Sequence, residues 1–222
     1  MANTNRVNGF KPVKQHGSGY CGHVGIYEVP SGEATKIFVG DPVILSNSAS
    51  TSGVPAVEAL AASAAGDVAA GILVGFCVGI LNSKYDPLDG GLTSGSISNL
   101  DLPGAGSTVG STKQFILVAD DPQTIFEAQA DAAVDHASIG LNIGMNVGTH
   151  STTTGASAWQ ADGSSVATTS TLPLTVVGFP KRPDHEVNTT YNRVLVKINT
   201  HQYAVGGQRD VASAATIGML GV

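Results

Sequence analysis

Val68-Ala-Ala-Gly-Ile-Leu-Val-Gly-Phe-Cys-Val-Gly-Ile-Leu81 is the stretch on which the fold turns. It is shorter than the ~20 apolar residues that a helix needs to cross a bilayer. Gly71, Gly75 and Gly79 recur through it, and glycine is among the poorest residues in a soluble helix. The run therefore predicts a buried strand pair or a kinked strand. Strand-like segments flank it on both sides. His23-Val-Gly-Ile-Tyr-Glu-Val29 ends at the turn Pro30-Ser-Gly32, and Lys36-Ile-Phe-Val39 is broken by Gly40-Asp-Pro42 before Val43-Ile-Leu45 resumes. Phe115 to Val118, Thr124 to Gln129, Thr171 to Phe179 and Arg193 to Asn199 complete the set. In the last of these, Val194, Val196 and Ile198 share one face, while Arg193, Leu195, Lys197 and Asn199 share the other. Helical signals are confined to Val54–Ala65 and Ala128–Ala137, where the apolar spacing is indistinct. Many short strands punctuated by Gly, Pro and Asp predict an all-β fold, a sandwich or a barrel, with few short helices.

Composition narrows the function. Charged residues make up 13% of the 222 residues, against about 25% in an average domain. Glycine reaches 28 residues, with much Ser, Thr and Ala. So little charge predicts a surface that neighbouring subunits cover. The net charge is −6 and the 11 Lys and Arg are scattered, which argues against nucleic acid as a partner. Cys21 and Cys77 follow an N-terminus without an apolar core of the secretory type. Reduced thiols and synthesis in the cytoplasm are expected, with no membrane partner.

None of the chemical motifs reaches a catalytic constellation. Gly17-Ser-Gly-Tyr-Cys-Gly22 matches G-x-G-x-x-G but lacks a preceding strand and a following helix. His16, Cys21 and His23 are close in sequence, but no second cluster completes a four-ligand zinc set. Gly91-Leu-Thr-Ser-Gly95 has Thr where a nucleophile elbow needs Ser. Asp120-Asp121 with Glu127 reads first as a turn, because Asp-Pro sequences favour one. Pro183-Asp-His-Glu186 reads as a solvated connector and Asn188-Thr-Thr190 as an ordinary loop. The expectation is a protein that is not an enzyme and needs no cofactor or metal.

Residues 1–22 read as an N-terminal arm, 23–203 as a β-rich body, and 204–222 as a C-terminal arm. Long Gly/Ser/Thr loops are expected at 82–112 and 148–170. The apolar residues of the two arms are the interface candidates: Phe10, Pro12 and Val13 at the start, and Ile217, Met219 and Leu220 at the end.

Four segments, in order along the chain, carry a resemblance. They are Met1-Ala-Asn-Thr-Asn-Arg-Val-Asn-Gly-Phe-Lys-Pro-Val13, Phe38-Val-Gly-Asp-Pro-Val-Ile-Leu45, Phe115 to Gln129, and Arg182-Pro-Asp-His-Glu186 with Val194-Leu-Val-Lys-Ile-Asn199. Together they resemble the head decoration, or cement, proteins of tailed bacteriophages. The resemblance implies a β-barrel, β-tulip or jelly-roll body with extended arms. It also implies a homodimer or homotrimer on the outer capsid surface of the virion, made in the host bacterial cytoplasm, that bridges major capsid protein subunits and stabilises the head. The competing readings are another virion component, such as a tail or fibre part, and a carbohydrate-binding β-module. For the last, Trp159 is the aromatic residue to watch.

Overall fold

The structure, a computed structural model, describes residues 3–30, 35–46, 53–61, 72–81, 114–150, 155–183 and 185–204. The fold is all-β. Among the described residues twelve strands run in the order β1 (Lys11–Gln15), β2 (Ser18–Gly19), β3 (Gly25–Val29), β4 (Pro42–Leu45), β5 (Val57–Ala59), β6 (Leu73–Ile80), β7 (Gln114–Ala119), β8 (Thr124–Gln129), β9 (Asn142–Val147), β10 (Trp159–Ala167), β11 (Leu174–Gly178) and β12 (Arg193–Ile198). They form a seven-stranded sheet, β10-β9-β11-β12-β8-β1-β2, and a five-stranded sheet, β3-β7-β6-β4-β5. Every pairing within these sheets is antiparallel. Among the described residues no helix is long and apolar enough to cross a membrane.

From Leu73 to Ile80 the opening stretch is a kinked strand, and its residues 68–71 lie outside the described residues. β6 carries one extra residue where Ile44 pairs with Leu73 and Val43 with Gly75, and a second between Cys77 and Gly79. Each such bulge shifts the side-chain alternation by one. Leu73 and Phe76 consequently enter one core while Val74, Cys77 and Ile80 enter the other. Burial on both faces explains why the sequence is apolar without alternation. Gly75 is required by close approach: a Cβ there would collide with the carbonyl oxygen of Ala119 on β7.

Both sheets curl: the small one brings its two edges together, and the large one brings its edge strand β10 to the end of the interior strand β8. In the smaller sheet the edge strand β3 touches the residue before β5 through a single bridge, Glu28 to Ala56, with Glu28 N–H donating to Pro55 O at 2.9 Å. In the larger sheet Ala130, just beyond β8, bridges Ala161 on β10. Gly163 permits this second contact, because a Cβ there would lie 2.7 Å from Ala132 O. Neither sheet is a closed barrel, which corrects the barrel expectation.

The seam between the sheets is aromatic. Phe10 stacks on Phe76 of β6 with ring centroids 4.3 Å apart, and Phe76 meets Phe126 of β8 at 4.6 Å. The turn Asp120-Asp121-Pro122 joins β7 of one sheet to β8 of the other, with Gln123 N–H donating to Asp121 Oδ1 at 2.7 Å.

Three expectations need correction. Phe10 is buried, and β1 pairs with β8 inside the large sheet, so residues 3–15 belong to the body rather than to a free arm. The 148–170 segment contains β10, whose Ala161, Gly163, Ser164 and Ser165 are too small to show an apolar period. Within the helix candidates at 54–65 and 128–137 the described residues give strand β5 and the end of β8, with one 3-10 turn over His136–Ser138, and residues 62–65 lie outside the described residues. Burial of Ala128 and Ala130 in the core outweighs their helix propensity. The 82–112 loop, the 204–222 arm beyond Ala204, and Ile217, Met219 and Leu220 lie outside the described residues.

Candidate functional site: a groove on the large sheet

Sequence alternation places Arg193, Leu195 and Lys197 on the outer face of β12, opposite the buried Val194, Val196 and Ile198. Leu195 pairs with Glu127 of β8 across that face. Glu127 is buried, yet it is well satisfied. Arg182 reaches it with a two-pronged contact, Nη1 to Oε1 at 2.9 Å and Nη2 to Oε2 at 2.6 Å, and Arg193 Nη1 lies 3.5 Å from Oε1. This geometry matches the planar fork of guanidinium to the carboxylate. It pins the segment after β11 onto the sheet. His185 adds a second anchor, its Nε2 accepting the Arg193 backbone N–H at 3.0 Å while its ring faces Phe179. Burial pulls the His185 pKa down, consistent with a neutral ring that accepts that hydrogen bond. Arg182 and His185 thereby hold this segment as a cover on the sheet, while Pro183 and Glu186 are exposed and Asp184 lies outside the described residues.

Beside this cover runs a groove of about 480 Å³. Ile139, Val177, Phe179 and Leu195 line it, together with Lys14, Lys181 and Arg182. A bulge in β11 between Val176 and Gly178 turns Val177 outward, leaving it 38% exposed. Ile139 is 47% exposed at the end of the 3-10 turn. His136 packs edge-on against Phe179 at 5.2 Å. Replacing Glu127 by alanine should cost about 1–3 kcal/mol, less than a fully buried pair because Arg182 is half exposed and can rehydrate. Urea unfolding checks the cost, and hydrogen exchange over 179–187 should quicken at the same time. Unchanged exchange there would show that the clamp does not hold the cover.

Two other clusters gather polar side chains. Asp41, His150 and Ser157 meet where the turn before β4 abuts the segment before β10. The three residue types are those of a hydrolase triad, but the connections are not. The Ser157 hydroxyl bonds Asp41 rather than His150, and its oxygen accepts Trp159 N–H at 3.1 Å. His150 Nδ1 is taken by the Ala158 N–H at 3.2 Å, so no base faces the hydroxyl. The second cluster lies around Asp120. Tyr27 donates to its Oδ2 at 2.7 Å, and His23 Nδ1 stands 3.9 Å from Oδ1. Nearby His201 is held neutral by burial, its pKa lowered to about 4.

The other sequence candidates separate. Cys21 bonds Gln15, His16 is exposed, and only His23 approaches Asp120. Among the described residues no group of three or more His, Cys, Asp or Glu side chains is placed to hold a metal ion. The Gly17–Gly22 segment begins as the hairpin between β1 and β2, with Gly17 at φ +86°. Cys77 is buried, with its thiol pushed up to about 12 by burial. Trp159 is buried in the core and its ring is unavailable to a sugar. Of the arm candidates, Val13 is exposed beside Lys14 of the groove, Pro12 is half-buried on β1, and Phe10 is in the core. Sequence reading missed Ile139 and Val177. The signal for Val177 was the adjacent apolar pair Val176-Val177, where strict alternation would bury only one.

No family model, curated protein or solved structure matches the chain.

Proposed function

We propose that the chain is a non-enzymatic structural protein of a tailed-phage virion. In this reading it binds the outer capsid surface as a homodimer or homotrimer and cements adjacent major capsid protein subunits. The observation that carries a binding role is the groove: Ile139 and Val177, both large apolar side chains left exposed, line one concavity fixed by the Glu127 clamp. Exposed apolar side chains gathered on a rigid surface fit protein contact better than they fit solvent. The four resembling segments and the low charge supply the phage-head part of the proposal.

The test is addition of the purified protein to undecorated, expanded phage heads. Saturable binding on a regular lattice of sites, with a rise in the temperature at which the heads disrupt, is the expected result. Absence of binding to expanded heads would overturn the proposal.

A further inference from the structure

The cations around the groove identify its partner more closely. The protein is acidic overall, with a net charge of −6. Yet Lys14, Lys181 and Arg182 all line this groove, and none of the described lining residues is acidic. Arg182 is spent on Glu127. Among the described residues Lys14 and Lys181 make no ion pair. Two ammonium groups without an ion-pair partner among the described residues, set at an apolar groove, favour an anionic partner. The apolar residues of the lining and the volume of about 480 Å³ leave room for an inserted apolar side chain.

We infer that the groove binds an extended protein segment in which an apolar side chain is flanked by carboxylates. The apolar side chain rests between Val177 and Ile139, and the carboxylates meet Lys14 and Lys181. This deepens the docking role proposed above by naming the chemistry of the docked partner, and it rests on that reading only for the partner's place on a phage head.

The probes are two acetylated nonapeptides with a central leucine, one flanked by aspartates and the other by lysines, on an otherwise Gly/Ser background. Titration into the isotopically labelled full chain is followed by NMR. The aspartate peptide should shift amides of 139–140 and 177–182 saturably. It should bind at least tenfold tighter than the lysine peptide, with the difference shrinking at high salt. The double variant Lys14→Glu with Lys181→Glu should reverse the preference, and Val177→Asp should abolish binding of both peptides. All three substitutions are at exposed positions, and thermal unfolding verifies that each variant is folded. Equal affinity for the two peptides, shifts that map elsewhere, or no reversal by the double variant would overturn the inference.

The same variants separate this claim from the head-binding proposal. If wild-type protein binds heads and folded Val177→Asp binds them equally well, the groove assignment falls and the head-binding role stands. If wild-type protein binds the aspartate peptide at the groove but binds no heads, the role falls and the groove assignment stands.

Discussion

Phe10→Ala is expected to destabilise the protein by about 3–5 kcal/mol, the usual cost of deleting a fully buried aromatic ring. For a chain of this size that corresponds to a fall of roughly 6–20 °C in the unfolding midpoint. The ring is 1% exposed and stacks on Phe76, which in turn meets Phe126. These three side chains come from the N-terminal segment, the small sheet and the large sheet. Removing the first leaves a cavity at the seam, where neither sheet can close over it alone. The backbone around it is equally constrained. Gly9 has φ +64°, a Cβ there would lie 2.7 Å from the Gly40 backbone, and Phe10 N–H donates to Gly40 O at 3.0 Å. Val13, 37% exposed three residues on, gives the internal control. Val13→Ala should change stability by no more than about 0.5 kcal/mol. Thermal and urea unfolding of both variants decide the matter. Similar small effects at the two positions would mean that residues 3–15 are an arm after all.

Asp41→Asn is expected to stabilise the protein at pH 8 and to do little at pH 4. Asp41 is 2% exposed. Its Oδ2 accepts the Phe38 N–H at 2.8 Å, but its Oδ1 has no hydrogen-bond partner. The facing titratable groups are His150, with Nδ1 at 3.8 Å, and the thiol of Cys77. His150 supplies no charge to the carboxylate, since burial lowers its pKa and Ala158 N–H occupies its Nδ1. Burial raises the Asp41 pKa from 3.8 to about 7, against the opposing pull of the Ser157 and Phe38 hydrogen bonds. Below about pH 4 the folded and unfolded chains both hold the proton. Between about 4 and 7 only the folded chain holds it, so the contribution of this group to stability falls as pH rises. Above about 7 neither holds it, and the loss is complete. At ~1.4 kcal/mol per unit, the full span amounts to about 4 kcal/mol at most. Asparagine keeps an acceptor for Phe38 N–H and carries no charge to desolvate. The buried histidines act in the opposite sense over part of this range, so the useful quantity is the difference between variant and wild type. That difference should grow from pH 4 to 7 and then level off in urea unfolding. A difference independent of pH would show that Asp41 is not a buried acid that titrates near neutrality.

The strands whose side-chain pattern is local were legible in the sequence. Val194, Val196 and Ile198 alternate with Arg193, Leu195 and Lys197, and β12 follows that pattern. The glycines of the 68–81 run signalled a kinked strand, and β6 is bulged beside Gly75 and Gly79. What depended on distant partners was not legible. The Lys11-Pro-Val-Lys14 segment looks like a polar arm because its pairing partner, β8, lies more than a hundred residues away. β10 was hidden because its packing against Ala132 selects glycine and small side chains instead of large apolar ones. The groove was hidden for a related reason. Its walls come from β1, the 3-10 turn, β11 and the cover that follows it, and it is the bulge at Val177 that turns one of them outward.

The pairing of β1 with β8 also sets a timetable for synthesis. Lys11–Gln15 leaves the ribosome well before Thr124–Gln129, its hydrogen-bonding partner, has been made. At ~5–20 residues per second that wait is on the order of ten seconds. Throughout it, Phe10 has neither Phe126 nor a completed seam to cover it. The nascent chain therefore carries the Phe10 side chain unprotected, and the large sheet cannot be sealed until translation has passed β12. Folding of this protein is in that sense a late event, governed by the closure of contacts between widely separated parts of the chain.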